Sequence, residues 1–225
     1  MTRSPTEAAQ ERIRIALDRG RRPAISCSFQ PGGVAVLHLM GDRRREIPVL
    51  FVDTGYHFQE TLEFKDLLAE VWGLDVRSVR TQQTTQSQQE YLGPLYRTNP
   101  DQCCEDRKTG PLFAALEAHD VWITGLRREQ TDERRDAEIF ERRILPGGNV
   151  VTKVNPIADW TAAELDTYTA MHDIPVHPLM GQGYPSIGCA PCTAGASDGS
   201  RAGRWDGAKT ECGLHTTLEG VGADT

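Results

Sequence analysis

The chain has 225 residues and a formal net charge of −7, a length that suits one large domain or one domain with appendages. The acidic balance argues against nonspecific binding of nucleic acid through a broad basic face, so we expect no nucleic-acid partner. No signal peptide or membrane span is visible, because the apolar run 34–40 is far too short to cross a bilayer. We therefore expect a cytoplasmic protein with no membrane partner.

The predicted elements alternate between helix and strand along the chain. Helices are predicted over 7–19, 34–40, 59–72, 103–117 and from a cap at 159–161 to about 172, and strands over 23–26, 48–52, 75–79, 121–124 and 150–154. The stretch 81–89 is rich in Gln and Thr without a clear period, and it is predicted to be a loop. This order predicts an α/β fold, in which a mostly parallel sheet carries helices on both faces and ligands bind beyond the carboxyl ends of the strands.

Polar loops follow three of these strands and should converge at one edge of the sheet. They carry Ser26 and Ser28, then Asp53, Thr54 and Gly55, then Arg127 and Arg128. Hydroxyl groups, the backbone amides of a glycine turn and a helix N-terminus together can bind an anion. Such residues are equally common in ordinary turns, so spacing alone leaves both a nucleotide site and plain turns open.

Five of the six cysteines form a pattern that indicates metal and thiol chemistry. They are Cys103 and Cys104, the pair Cys189 and Cys192 in a Cys-x-x-Cys motif, and Cys212. In a reducing cytosol such cysteines are metal ligands or catalytic groups more often than disulfides. Adjacent cysteines hardly reach one small ion without strain, but they can reach two irons of a cubane, which favours an iron–sulfur cluster over zinc. The sixth, Cys27, is interpreted as a small filler at a buried strand end.

Taken together, the motifs resemble the assimilatory sulfonucleotide reductases of the PAPS reductase family, in particular the iron–sulfur, thioredoxin-dependent adenylyl-sulfate (APS) reductases. The resemblance runs from about residue 25 to residue 215 and so covers nearly the whole chain. It rests on Ser26-x-Ser28, Val52-Asp53-Thr54-Gly55, Cys103-Cys104 with Arg107-Lys108, Thr124-Gly125-Leu126-Arg127-Arg128, Asn155-Pro156-Ile157-x-x-Trp160, Cys189-Ala190-Pro191-Cys192, Arg201 with Gly203-Arg204-Trp205, and Lys209-Thr210-Glu211-Cys212-Gly213-Leu214-His215.

The resemblance implies an adenine nucleotide alpha-hydrolase-like fold and a specific reaction. Cys212 would attack the sulfate sulfur of adenosine 5'-phosphosulfate, AMP would leave, and reduced thioredoxin or a glutaredoxin-like donor would release sulfite from an enzyme S-sulfocysteine. Cys103, Cys104, Cys189 and Cys192 would bind a 4Fe-4S cluster. Residues 1–193 are expected to form the sulfonucleotide-binding domain with the iron–sulfur site, and residues 194–225 a flexible C-terminal tail that carries the nucleophile.

The charges near Cys212 fit this chemistry, because a nucleophilic thiol must be ionised and needs a positive environment. His215, with Arg201 or Arg204, would supply that charge. Basic side chains would also neutralise the charge that builds on the sulfate and phosphate oxygens. The predicted substrate-binding residues are therefore Ser26, Ser28, Asp53, Thr54, Gly55, Lys108, Arg127, Arg128, Arg201, Arg204 and His215.

Other interpretations stay open at this point. One is a reductase of the 3'-phosphorylated substrate PAPS, or of both nucleotides. Another is an ATP pyrophosphatase of the tRNA-thiolating kind, although the loop 26–33 lacks the Ser-Gly-Gly-x-Asp-Ser pattern that such enzymes would want. The third is a noncatalytic zinc or iron–sulfur binding module, which would leave Cys212 without a role. Whether the protein forms a homo-oligomer is also open.

Overall fold

The protein is built on one six-stranded sheet that is parallel except at one edge. The computed structural model describes residues 3–197, 201–216 and 218. Its strands are β1 (Pro23–Ser26), β2 (Val49–Val52), β3 (Val76–Val79), β4 (Val121–Ile123), β5 (Phe140–Ile144) and β6 (Val150–Val154). Their spatial order is β3-β2-β1-β4-β6-β5, and every neighbouring pair is parallel except β5 with β6. The predicted mostly parallel sheet is confirmed.

Helices cover both faces of the sheet. They are α1 (Pro5–Arg19), α2 (Pro31–Leu39), α3 (Gln59–Trp72), α4 (Thr85–Leu92), α5 (Leu95–Thr98), α6 (Pro100–Cys104), α7 (Gly110–Leu116) and α8 (Ala162–Met171), and a π-helical stretch, Glu105–Thr109, joins α6 to α7. Short 3₁₀ helices lie at Gly41–Arg45, Arg128–Gln130, Asp132–Arg134, Pro178–Gln182, Ala190–Cys192 and Trp205–Gly207. Among the described residues, no helix combines the length and apolar character needed to span a membrane.

Two buried clusters show which helices cover which face. Side chains of α1, α2, α3 and α8 pack in one cluster with Ile25 of β1 and Ile123 of β4. Helix α7 packs in the other cluster with the neighbouring strand residues Ala24 and Trp122. Because successive side chains of a strand point to opposite faces, the two clusters lie on opposite sides of the sheet.

Local signals explain where several helices begin and end. Helix α1 begins after Ser4, whose hydroxyl and Glu7 form a reciprocal capping box, and Thr161 with Glu164 does the same for α8. Helix α3 ends at Gly73, which adopts a left-handed conformation with φ 63° that glycine tolerates best. The start of α8 and the end of α3 agree with the sequence-based expectations, whereas α1 begins two residues before the predicted residue 7.

The structure corrects three expectations about secondary structure. The predicted loop 81–89 contains the start of α4, which is capped by the Thr84 hydroxyl and contributes Gln88 as its one buried residue. Its polar sequence lacks an apolar stripe, so periodicity could not reveal it. Strand β5 was not predicted, and the helix expected to open at Cys103 begins earlier, at Pro100.

Candidate active site

A cavity of about 160 Å³ lies beyond the carboxyl ends of β1 and β4, where the order of the strands changes direction. This is the place where open α/β sheets bind ligands. The residues that line it include six of the predicted substrate-binding residues and the predicted nucleophile: Ser26, Ser28, Lys108, Arg201, Arg204, His215 and Cys212. The structure therefore brings together side chains that lie almost 190 positions apart in the chain.

The floor of this cavity depends on glycines that let two backbone segments touch. A Cβ atom on Gly125, just after β4, would lie 2.4 Å from the backbone nitrogen of Gly33 and 2.6 Å from the carbonyl carbon of Gly32. Glycine is the residue that permits such close approach. The first turn of α2 can thereby line the cavity, and helix N-termini favour negatively charged ligands.

The two predicted serines line the cavity and already have partners within the protein. The Nε1–H of Trp122 donates a hydrogen bond of 2.7 Å to Ser26 Oγ. The amide of Gln30 donates one of 3.3 Å to Ser28 Oγ. The buried Trp122 of the neighbouring strand β4 thus fixes the orientation of the Ser26 hydroxyl at the cavity wall.

Arg201 and Arg204 bring positive charge to the cavity. Burial lowers the pKa of Arg204, and the thiols of Cys189 and Cys212 oppose that change. Burial and the charge of Arg204 together lower the pKa of Arg201 to about 10. The guanidinium of Arg204 passes the backbone so closely that a Cβ atom on Gly188 would lie 1.9 Å from it. Desolvated, crowded cations of this kind favour an anionic ligand.

Two buried polar atoms on the cavity wall have no partner among the described residues. They are Nε of Arg204 and Nδ1 of His215. Since buried polar groups are almost always hydrogen-bonded, these two atoms indicate where a bound ligand would complete the site.

His215 lies at the cavity as predicted, and its burial disfavours the protonated ring. Burial, followed by the charges of Arg134, Lys153 and Arg201, lowers the pKa of His215 well below its ordinary value. Its ring stacks on Trp122 with 5.9 Å between centroids and 15° between planes. This direction argues against the expectation that His215 supplies positive charge to Cys212.

Lys108 supplies such charge instead. Burial alone would lower the pKa of Lys108, but the neighbouring thiols of Cys189 and Cys212 outweigh it and raise the pKa. The half-buried Cys212 thus faces an ammonium group. A nearby cation is the usual means of stabilising a thiolate.

The other four cysteines of the pattern line a second, smaller cavity beside the first. Cys103, Cys104, Cys189 and Cys192 share it, and Lys108 lines both cavities. None of the four forms a disulfide. Burial raises the pKa of Cys103 to about 11 and that of Cys192 to about 12, because a low-dielectric surrounding disfavours the charged thiolate.

The spacing of these cysteines fits a cluster better than a single ion. Zinc would need its ligands about 2.3 Å from one point, whereas the described residues contain no group of three Cys, His, Asp or Glu side chains that could hold one ion. Three buried cysteines and the half-buried Cys192 around a shared cavity are nevertheless the ligand set of a 4Fe-4S cluster. The residues present therefore fit that group.

The predicted residues Asp53, Thr54 and Gly55 form a turn that supports the cysteines. Thr54 Oγ1 lies 3.3 Å from Cys189 Sγ, and Asp53 Oδ1 accepts a hydrogen bond from the backbone of Gly55. The buried Arg107 donates to the Thr54 carbonyl at 3.0 Å. Thr54 lines the cysteine cavity, and none of the three lines the strand-end cavity.

Arg127 and Arg128 do not line the strand-end cavity either. The guanidinium of Arg127 contacts Glu129 at 3.1 Å, and that of Arg128 donates to the Ala137 carbonyl at 2.7 Å. Both contacts lie within the loop between β4 and β5, and Arg127 Nη1 also donates to the Trp160 carbonyl at 3.4 Å.

Sequence reasoning missed Arg134, which lines the cavity. It forms an ion pair with Glu211, the residue before Cys212. The only sequence signal was its place in the charged stretch 127–135, a pattern more typical of a solvated loop.

Comparisons with known proteins show the family of the chain. Residues 22–195 match the phosphoadenosine phosphosulfate reductase domain. An adenosine 5'-phosphosulfate reductase of Mycobacterium tuberculosis (strain H37Rv) is 40% identical over 208 residues, which cover 88% of this chain and 80% of that protein. One of Salinibacter ruber is 42% identical over 196 residues, with 85% and 77% covered.

A solved structure shares the fold. The phosphoadenylyl-sulfate reductase of Candida auris, in a phosphate complex, superimposes with a TM-score of 0.71 at 21% identity, covering 83% of this chain and 90% of that one. With the domain match and the 40% identical relatives, the result is unambiguous: the chain belongs to the phosphoadenosine phosphosulfate reductase family.

Proposed function

We propose that the protein reduces adenosine 5'-phosphosulfate (APS) to sulfite and AMP, with Cys212 as the nucleophile and a thioredoxin-type dithiol as the reductant. The observation that carries this proposal is the position of Cys212 in a strand-end cavity with Lys108, Arg201 and Arg204. The relatives that are 40% identical or more are named for APS, which favours APS over PAPS as the substrate.

The cavity offers suitable groups for the phosphosulfate of APS. Lys108, Arg201 and Arg204 would neutralise its oxygens, and the first turn of α2 would face the phosphate. The free Nε–H of Arg204 would donate to one oxygen. His215, whose Nδ1 also has no partner among the described residues, would make a neutral hydrogen bond.

The proposed reaction has two steps. The Cys212 thiolate attacks the sulfate sulfur, a bond between Sγ and that sulfur forms, and the bond from sulfur to the phosphate oxygen breaks, so that AMP leaves with the electron pair. Lys108 and the arginines stabilise the charge on the departing oxygen. Cys212 is left as S-sulfocysteine.

In the second step a thiolate of the reductant attacks Sγ of Cys212. The bond between Sγ and the sulfonate breaks, and sulfite leaves with the bonding pair. The second thiol of the reductant then displaces Cys212, which restores its thiolate and leaves the reductant as a disulfide. Both electrons that reduce the sulfur come from the dithiol.

We further propose that Cys103, Cys104, Cys189 and Cys192 hold a 4Fe-4S cluster. When bound, it would cross-link two segments that lie far apart in sequence and add its charge close to Lys108. The position of Lys108, which lines both cavities, supports a cluster site next to the substrate cavity.

The division into a domain over 1–193 and a mobile catalytic tail over 194–225 also remains a proposal. It is supported by the chemistry, since Cys212 must face first the substrate and then an external reductant. Residues 198–200, 217 and 219–225 of that tail lie outside the described residues.

One set of measurements tests these proposals. Protein purified without oxygen should contain about four irons with labile sulfide, and it should release sulfite from APS with reduced thioredoxin. Cys212→Ser should abolish sulfite release while the iron content is unchanged, and Cys27→Ala is the matched control. Without reductant, the wild type should accumulate a sulfonate on the Cys212 peptide, detected by mass spectrometry.

Three results would overturn these proposals. Sulfite release by Cys212→Ser at the wild-type rate would exclude Cys212 as the nucleophile. Zinc in place of iron would refute the cluster, and activity with PAPS alone would refute the choice of substrate.

A further inference from the structure

We propose that Arg134 is a positioning residue that holds Cys212 in the cavity by binding Glu211. The inference rests on the proposed function, in which Cys212 is the nucleophile. It adds a residue from the loop after β4 that sequence motifs did not reveal and that contacts the chain immediately before the thiol.

The contact between Arg134 and Glu211 is a bidentate pair. Arg134 Nε donates to Glu211 Oε1 at 2.6 Å, and Nη2 donates to Oε2 at 2.7 Å. The Thr131 hydroxyl adds a third bond to Oε1 at 2.8 Å. The two charged side chains are only 8% and 7% exposed. Parallel, shielded bonds of this type fix both distance and direction.

The pair connects Cys212 to the sheet through a short chain of contacts. Arg134 Nη1 donates to Gln130 Oε1 at 2.6 Å, and the same oxygen accepts the backbone N–H of Arg127 at 3.0 Å. Arg127 follows β4 closely, so these bonds fix the position of Glu211 relative to the end of a buried strand. The pair also joins residues 77 positions apart, which local structure could not bring together.

The residue before Glu211 is held as well. The backbone carbonyl of Thr210 accepts bonds from Arg201 Nε at 3.1 Å and Nη2 at 2.9 Å. The two residues that precede Cys212 are therefore both tied to arginines at the rim of the cavity. This leaves little freedom for the position of the thiol.

Arg134 also lines the cavity, so a direct contact with substrate is the competing explanation. Its hydrogen-bond partners argue against that explanation. Nε and Nη2 bind Glu211, and Nη1 binds Gln130, so every nitrogen of the guanidinium has a partner in the protein. The geometry points to an action through Glu211.

A double-mutant cycle separates the two explanations. We would compare Arg134→Gln, Glu211→Gln and the double variant in single-turnover formation of S-sulfocysteine from APS. If Arg134 acts through Glu211, each single change removes the same contact, so both slow the step about tenfold or more and the double variant is no slower than the singles. If the rate reductions of the two single variants multiply in the double variant, the proposal is overturned.

Hydrogen exchange of residues 205–216 provides a readout that needs no substrate. Exchange in this segment should become at least about tenfold faster in both single variants, because the docked segment opens more often. Arg135→Gln is the matched control, since Arg135 is 71% exposed and pairs with Asp132 at the surface. Exchange that is equally slow in wild type and both single variants would overturn the proposal.

These measurements also distinguish two kinds of failure. If the wild type forms no S-sulfocysteine, the proposed function fails, while hydrogen exchange still decides whether the pair docks the segment. If Arg134→Gln does not fold, Glu211→Gln alone keeps the test decisive, because it removes the same contact from the tail side. Wild-type rate and wild-type exchange in Glu211→Gln would refute the inference.

Discussion

Gly125→Ala should disrupt the floor of the active site although it adds only one methyl group. The new Cβ would lie 2.4 Å from the nitrogen of Gly33 and 2.7 Å from its Cα. These are backbone atoms in the first turn of α2, and they cannot rotate away as a side chain would. The backbone of α2 must therefore move away from β4.

The size of the effect follows from the cost of overpacking. Inserting a methyl group into a tightly packed site costs about 1–3 kcal/mol. For a chain of this length, each kcal/mol lowers Tm by about 2–4 °C, so we expect a fall of about 2–12 °C. The first turn of α2 lines the cavity, so its displacement should also raise KM for APS more than it changes kcat.

The assay compares Tm and the kinetics of sulfite release with those of Gly181→Ala. Gly181 is a suitable control because a Cβ atom there meets nothing within 4 Å. If Gly125→Ala and Gly181→Ala have the same Tm and the same KM, the argument from backbone contact is refuted.

Two further predictions concern side chains at the cavity wall. Because burial lowers the pKa of His215 in the folded protein, the unfolded chain binds a proton below about pH 6.5 that the folded chain does not. The free energy of unfolding therefore decreases by about 1.4 kcal/mol for each pH unit below that value. Replacing His215→Gln should therefore flatten the decline of Tm between about pH 6.5 and 5, and an unchanged slope would contradict this explanation. Burial raises the pKa of Cys27 to about 12, so Cys27→Ala should keep sulfite release and iron content within about twofold of wild type; loss of activity in a folded variant would show that this thiol has a chemical role.

Sequence alone predicted those elements that have local signals. Strands β1 and β6 and helix α3 have the predicted bounds, since apolar runs and the stop at Gly73 define them. Strand β5 was missed because its sequence, Phe-Glu-Arg-Arg-Ile, places charged residues between two apolar ones at the edge of the sheet. An edge strand does not need the continuous apolar run of a buried parallel strand.

The site was predictable in its cysteines and its main cations, but not in how they are arranged. Arg134 looked like one of several surface charges, because its partner Glu211 lies 77 positions away. His215 was expected to be charged, whereas burial lowers its pKa and its ring stacks on Trp122. Asp53, predicted to bind substrate, accepts a hydrogen bond within its own turn. The contacts of Arg134 and His215 depend on long-range packing, which composition and spacing do not contain.

The two cavities share Lys108, so the effects of variants in one cavity or the other on activity cannot be separated by position alone. Lys108 lines both, and its raised pKa reflects Cys189 on one side and Cys212 on the other. Arg204 lies 4.4 Å above the ring of Trp205, which lines the cysteine cavity, while Arg204 itself lines the strand-end cavity. A change at one of the four cysteines would therefore shift the cations that face Cys212. Such a variant would therefore lose sulfite release even if the four cysteines take no part in bond making or breaking. A direct role of these cysteines in the reaction and an indirect effect through the cations can be separated only by measuring S-sulfocysteine formation together with iron content.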